Sequence, residues 1–194
     1  MNKDLFRLLD VTERVLMRID ADWAVGGALA MAAHGYTRET HDIDVFIAPE
    51  QRDQVLTGLE KQRISVVTLA EDYHYILQPK QAGPEERVDL LVPSSEPDVS
   101  ALAVPDYGDI NGKRRPVWPL SLIVVQKLMG EREKDAHDLV ALKARGMIDA
   151  PEVHKILEHM GEEHAIARLR VLMRRDRERH SSIEEPPSRP PRRR

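Results

Sequence analysis

Apolar residues recur at helical spacing near the start of the chain, where Leu5, Leu8, Leu9, Val15, Leu16 and Ile19 fall on one stripe, so residues 4–19 are expected to form an amphipathic helix covering a sheet. Shorter apolar or alternating runs predict strands near 23–26, 42–48, 63–70, 73–78 and 86–92. The first strand runs through Gly26-Gly27 into an alanine-rich helix over Ala28 to Ala33, and Pro49 opens a second helix ending near Gln62. Asn111-Gly112, with Tyr107 to Ile110 before it and Val117-Trp118 after it, predicts a type I′ hairpin. Pro116 and Pro119 assign the second arm of that hairpin to a sheet edge or to a strand end. From Ser121, read as an N-cap, the pattern turns helical, with helices expected over 121–130, 132–145, 151–160 and 162–179 and Gly130, Gly146 and Gly161 as punctuation. Residues 181–194, rich in proline and arginine, are expected to be a disordered tail.

These elements predict an α/β half over residues 1–118, a helical subdomain over 119–180 and the tail behind it. A substrate is expected in a cleft between the two halves. Composition changes this picture little. Charged residues make up 32% of the 194 and hydrophobic ones 41%, which fits a soluble globular protein. The absence of cysteine excludes disulfides and thiolate metal sites. No apolar run approaches a membrane span and no apolar leader is evident, so the protein is expected in the cytoplasm without a membrane partner. A net charge of −4 argues against non-specific coating of nucleic acid. Arginines do crowd one segment, Arg168, Arg170, Arg174, Arg175, Arg177 and Arg179, and Arg189 and Arg192 to Arg194 end the chain. They could contact RNA phosphates, or form a solvated helix face followed by a tail.

Asp42-Ile43-Asp44 carries the chemistry. Alternate residues of a strand share a face, so the two carboxylates stand roughly 6.6 Å apart on one side, with Ile43 and Val45 on the other. Hard divalent cations such as magnesium take oxygen ligands of this type together with substrate phosphates. At Gly26-Gly27 the missing side chains let a phosphate approach the backbone at the start of a helix. The glycines match neither the Walker nor the dinucleotide pattern, which leaves a nucleoside triphosphate held between glycines and metal-bound aspartates as the simplest reading. Histidines 34, 41 and 137 lie beside the motifs, but a zinc site is not expected from them.

The glycine pair, followed by an Asp-x-Asp with apolar flanks and by Asp89 in the strand-like run Glu86 to Val92, resembles the nucleotidyltransferase superfamily. Gly26-Gly27, His34-Gly35, Arg38, Thr40 and Asp42-Ile43-Asp44, with Lys127 to Arg132, Lys134-Asp135 and Asp138-Leu139 further on, look most like its AbiEii-type toxin group. The resemblance spans about residues 20 to 145. It implies an α+β fold: a mixed sheet flanked by helices, with a C-terminal helical subdomain. It also implies that Asp42, Asp44 and Asp89 are catalytic and hold magnesium, two ions being expected. Gly26, Gly27, Arg38, Thr40, Lys127 and Asp135 are then the nucleotide or substrate contacts, Lys127 meeting the β- or γ-phosphates.

The implied reaction is nucleotidyl transfer from an NTP to a hydroxyl. An RNA or tRNA acceptor, with a cognate antitoxin protein as partner, is the first expectation from the toxin resemblance. Adenylylation of a small molecule such as an aminoglycoside or lincosamide is the competing enzymatic reading. A non-catalytic nucleotide- or RNA-binding module is the third.

Overall fold

The computed structural model describes residues 3–62, 64–70, 72–79 and 87–174. The expected tail, and the arginines from Arg175 onward, lie outside the described residues. In chain order the elements are α1 (Lys3–Arg18), β1 (Trp23–Val25), α2 (Gly27–Ala33), β2 (Asp42–Ile47), a 3-10 turn (Pro49–Gln51), α3 (Arg52–Glu60), β3 (Ile64–Ala70), β4 (His74–Pro79), β5 (Arg87–Leu91), α4 (Glu96–Ala103), β6 (Asp106–Ile110), β7 (Lys113–Val117), α5 (Leu120–Met129), α6 (Glu133–Ala144), α7 (Ala150–Met160) and α8 (Glu163–Arg174). The chain divides into two compact units, Met1–Gln126 and Lys127–Arg194. That division falls inside α5, eight residues later than the sequence boundary at 118.

The first unit is built on a seven-stranded mixed sheet of order β3-β4-β5-β2-β1-β7-β6. β2 runs parallel to β5 and β1 parallel to β7, while the other neighbours are antiparallel. One face of the central strands is wholly apolar: Ile43, Val45, Ile47, Val88 and Leu90 are each 0% exposed. Their alternation with Asp42, Asp44 and Asp89 fixes the register, because a one-residue slip would bury the carboxylates in the core. Helix α1 packs on β2 and β5, and α3 on β3. Its stripe buries Leu5, Leu8, Leu9, Val15 and Leu16 as the spacing predicts.

Arg115 of β7 is fully buried and ties the far end of the sheet to α1. Its guanidinium donates to Glu13 Oε2 at 2.8 Å, to Asp10 Oδ1 at 2.5 Å and to the Ile110 carbonyl at 2.6 Å. A buried guanidinium requires this degree of pairing.

One expectation is narrowed, one is corrected and one helix is added. The β6–β7 hairpin forms, with positive φ at Asn111 and Gly112 as a type I′ turn demands; β7 lies inside the sheet with β6 at the edge, so of the two places offered for the prolines it is the strand end that holds, Pro116 being the next-to-last residue of β7. Counting from the two-residue turn, Pro116 falls at a position whose nitrogen faces away from β6. β1 meets β7 only at Val117 and Trp118, so the missing N–H interrupts nothing. Ser121 does not cap α5, which begins one residue earlier at Leu120. Helix α4, started by Ser95 accepting from the Asp98 amide, was not anticipated from the sequence pattern.

In the second unit, α6, α7 and α8 follow the expected order, and Gly161 closes α7 in the left-handed conformation. Among the described residues no helix is long and apolar enough to cross a membrane.

Candidate functional site

Parallel pairing of β2 with β5 sets Asp44 opposite Asp89 and Asp42 opposite Arg87. Cross-strand partners share a face, as do alternate residues along a strand, so all four side chains stand on one side of the sheet. Asp42 is 30% exposed at its side chain and Asp89 9%. Thr40 Oγ1 donates to Asp42 Oδ1 at 2.7 Å, which orients that carboxylate from the loop preceding β2.

The glycine pair reaches the same place from β1. The Gly26 amide donates to the Asp44 carbonyl at 2.8 Å, and Gly27 turns into α2 with φ +55°. A methyl group at Gly27 would lie 1.8 Å from Asp44 Oδ2. At Gly26 it would lie 2.3 Å from the Phe46 ring, which stacks on Trp118 with centroids 4.1 Å apart. The bare backbone of this turn is therefore what admits the Asp44 carboxylate, and Gly-Gly is required sterically at the first position and both sterically and conformationally at the second. His34, at the end of α2, bonds the Trp118 carbonyl at 2.8 Å and thus serves the scaffold. Arg38 donates to the Glu39 carbonyl in the loop ahead of Thr40.

Two further side chains belong to this face and were missed by sequence reasoning. Arg87 places Nε 3.2 Å from Asp89 Oδ1 and Nη2 3.9 Å from Asp42 Oδ2. Its position two residues before Asp89 on one strand was the available signal. His74, at the start of β4, has its Nε2 3.9 Å from Asp89 Oδ1. It sits diagonally across β4 from Asp89, whose direct partner is Ile76, and no local pattern announces that pairing.

Three carboxylates on one face are the donor chemistry a hard divalent cation takes. Among the described residues no three His, Asp or Glu side chains are drawn together closely enough to hold a metal ion; the positive charge between Asp42 and Asp89 is the Arg87 guanidinium. By donor type, though not by their present spacing, Asp42, Asp44 and Asp89 suit such an ion.

Lys127 and Asp135, expected as substrate contacts, belong to the second unit and form a cluster of their own. Lys127 Nζ lies 3.1 Å from Asp135 Oδ1 and 2.6 Å from Asp138 Oδ2, and Arg132 Nε donates to Asp135 Oδ2 at 2.7 Å. All but Arg132 are buried. Burial pushes the Asp135 carboxyl up, but hydrogen bonds from Arg132 and Lys127, with their charges, outweigh it and hold the group below its ordinary value. The Lys127 ammonium is thus committed to two carboxylates rather than turned to solvent, because an ammonium on a helix face that becomes buried must be paired. Arg168, one of the arginines offered to RNA, donates instead to the carbonyls of Leu128 and Gly130 at the end of α5.

Residues 7–92 match the family model described as aminoglycoside-2''-adenylyltransferase. No curated protein sequence matches the chain. Among solved structures, the antibiotic-resistance factor ANT(2'')-Ia is similar with a TM-score of 0.51 at 15% identity, over 95% of this chain and 97% of that one. A Thermotoga maritima protein assigned as a nucleotidyltransferase gives 0.52 at 18% identity, over 75% and 96%. The nucleotidyltransferase toxin MenT4 of Mycobacterium tuberculosis gives 0.51 at 17% identity, over 81% of this chain and 64% of the toxin. The α+β arrangement of a seven-stranded mixed sheet with flanking helices is the nucleotidyltransferase fold. With the family match, it supports an enzyme of nucleotidyl transfer.

Proposed function

We propose that this protein moves a nucleoside monophosphate from an NTP to a hydroxyl of a small cationic acceptor of the aminoglycoside class. The observation that carries the transfer is the placing of Asp44 beside both the Gly26-Gly27 turn and Asp89. In this reading the glycine turn receives the triphosphate, whose oxygens need close backbone approach. Asp42, oriented by Thr40, and Asp44 hold magnesium, with Asp89 as the third ligand or as the proton acceptor. When bound, the divalent ions neutralise charge on the triphosphate and lower the pKa of the acceptor hydroxyl.

The acceptor oxygen attacks the α-phosphorus, the bond from that phosphorus to the pyrophosphate oxygen breaks, and the hydroxyl proton passes to Asp89 or, where that carboxylate is a ligand, to water. Lys127 and Asp135 have a scaffolding role here, fastening α5 to α6.

The small-molecule acceptor is supported by the family match, which covers the stretch that carries the glycine pair and all three aspartates. It is supported also by the net charge of −4 and the acidic face, which attract a polycation and repel RNA. An RNA hydroxyl is the second reading, favoured by the AbiEii-like motif order and by the fold shared with a nucleotidyltransferase toxin; an antitoxin partner belongs to that reading alone.

The test is incubation with each NTP labelled at the α-phosphate, magnesium, and either an aminoglycoside panel or total RNA. Label on an aminoglycoside supports the first reading and label on RNA the second. Label on neither, with intact fold and bound nucleotide, overturns both in favour of a non-catalytic binding module.

A further inference from the structure

Arg87 is 40% exposed at its side chain, and the backbone carries it there for a reason the fold makes plain. On β5 it shares a face with Asp89, and across the parallel ladder it is the direct partner of Asp42. Its Nε faces Asp89 Oδ1 at 3.2 Å and its Nη2 faces Asp42 Oδ2 at 3.9 Å, so one planar cation addresses two of the three acids. His74 Nε2 stands 3.9 Å from the same Asp89 oxygen. Three carboxylates grouped on one face repel one another, and a nearby cation offsets that repulsion.

We infer that Arg87 is a resident counter-ion that competes with the divalent cation for Asp42 and Asp89. The inference rests on the metal-dependent reading of the site. It follows from occupancy: a cation held by Asp42 and Asp89 would draw on the two carboxylates that the guanidinium faces. Part of the affinity for the ion is then spent on releasing the side chain. Arg87 thereby acts as a positioning residue, holding the acids in place between turnovers and weakening ion binding by the strength of its own contacts.

The experiment measures Mn2+ binding to the full chain, without nucleotide, by the loss of the free-ion paramagnetic resonance signal. Arg87→Gln and Arg87→Met both remove the charge, and Arg87→Lys restores it. The neutral variants are expected to bind Mn2+ roughly two- to fivefold more tightly than the unsubstituted protein, the size of one solvent-accessible ion pair, with Arg87→Lys returning toward the original affinity. Thermal midpoints confirm folding, and two neutral substitutions guard against one of them failing to fold. Unchanged or weaker Mn2+ binding in both neutral variants overturns the competition and leaves the proposed reaction standing. Absence of Mn2+ binding in every protein, including the unsubstituted one, both alone and with a nucleoside triphosphate added, overturns the competition and the metal-dependent reading together.

Discussion

Asp44 of β2 faces Asp89 of β5 across a parallel ladder, with its Oδ2 packed against the backbone of Gly27. Neither carboxylate belongs to the apolar core, so stability and activity are separable at these positions. Asp44→Asn and Asp89→Asn are expected to lower nucleotidyl transfer by roughly a hundredfold or more, on the scale of losing one preorganised electrostatic group. The thermal midpoint of Asp44→Asn should hold or rise, since the change relieves like-charge repulsion, whereas Asp89→Asn also gives up the Arg87 contact and should lower it slightly. Transfer rates and calorimetry on the same preparations check this, and full activity in Asp44→Asn contradicts the site assignment.

Gly27 and Gly112 both have positive φ but differ in what surrounds them. Nothing lies within 4 Å of an added methyl at Gly112, whereas at Gly27 it meets the Asp44 carboxylate. Gly112→Ala should cost about 1–2 kcal/mol, the left-handed backbone penalty alone, and leave transfer intact. Gly27→Ala should cost at least as much and also abolish transfer by displacing Asp44. Urea melts and transfer assays of the pair distinguish a steric demand from a merely conformational one.

Lys127 lies buried between Asp135 and Asp138, and removing it takes a cation from two buried carboxylates at once, leaving Arg132 on Asp135. Lys127→Met is expected to destabilise by about 3–5 kcal/mol, as for other broken buried pairs. The pH dependence follows from Asp135, whose carboxyl sits below its ordinary value in the folded protein. The unfolded chain holds that proton more tightly, so the contribution is fully present above the ordinary value near 3.9 and fades as pH falls through the lower folded one. Urea midpoints between pH 7 and pH 2 should therefore converge in acid for the original and Lys127→Met proteins.

Asp98 shows the opposite sign. Burial raises its carboxyl above the ordinary value, with the Ser95 hydroxyl bond offsetting only part of the effect. A raised carboxyl contributes stability below the unfolded value and loses it as pH rises through the folded one. Asp98→Asn, which can still accept from Ser95, should stabilise at pH 7 to 8 by about 0.5–2 kcal/mol and make little difference near pH 3. A midpoint that falls at neutral pH would show the charge to be used elsewhere.

The acidic face was legible because a strand's period of two is a local property: Asp42 and Asp44 had to share a side, and the same rule already placed Arg87 with Asp89. Strand order is a different matter, being decided by which surfaces meet in space. Nothing within residues 74–89 says that His74 lies diagonal to Asp89, or that β7 is flanked on both sides. Helix α4 is not announced by the pattern because its start is short and polar with Pro97 in the first turn, although Ser95 stands ready as a cap. Lys127 shows the limit of motif reading, since a sequence resemblance marks a position without saying whether its charge turns outward to a ligand or inward to a neighbour.

Arg115 couples partners separated by 102 to 105 positions along the chain. During synthesis α1 emerges long before the strands β2 and β5 that cover its leucine stripe, and longer still before the guanidinium that secures its Asp10 and Glu13. Contacts this distant in sequence slow folding and lengthen the interval in which an apolar surface can find the wrong partner.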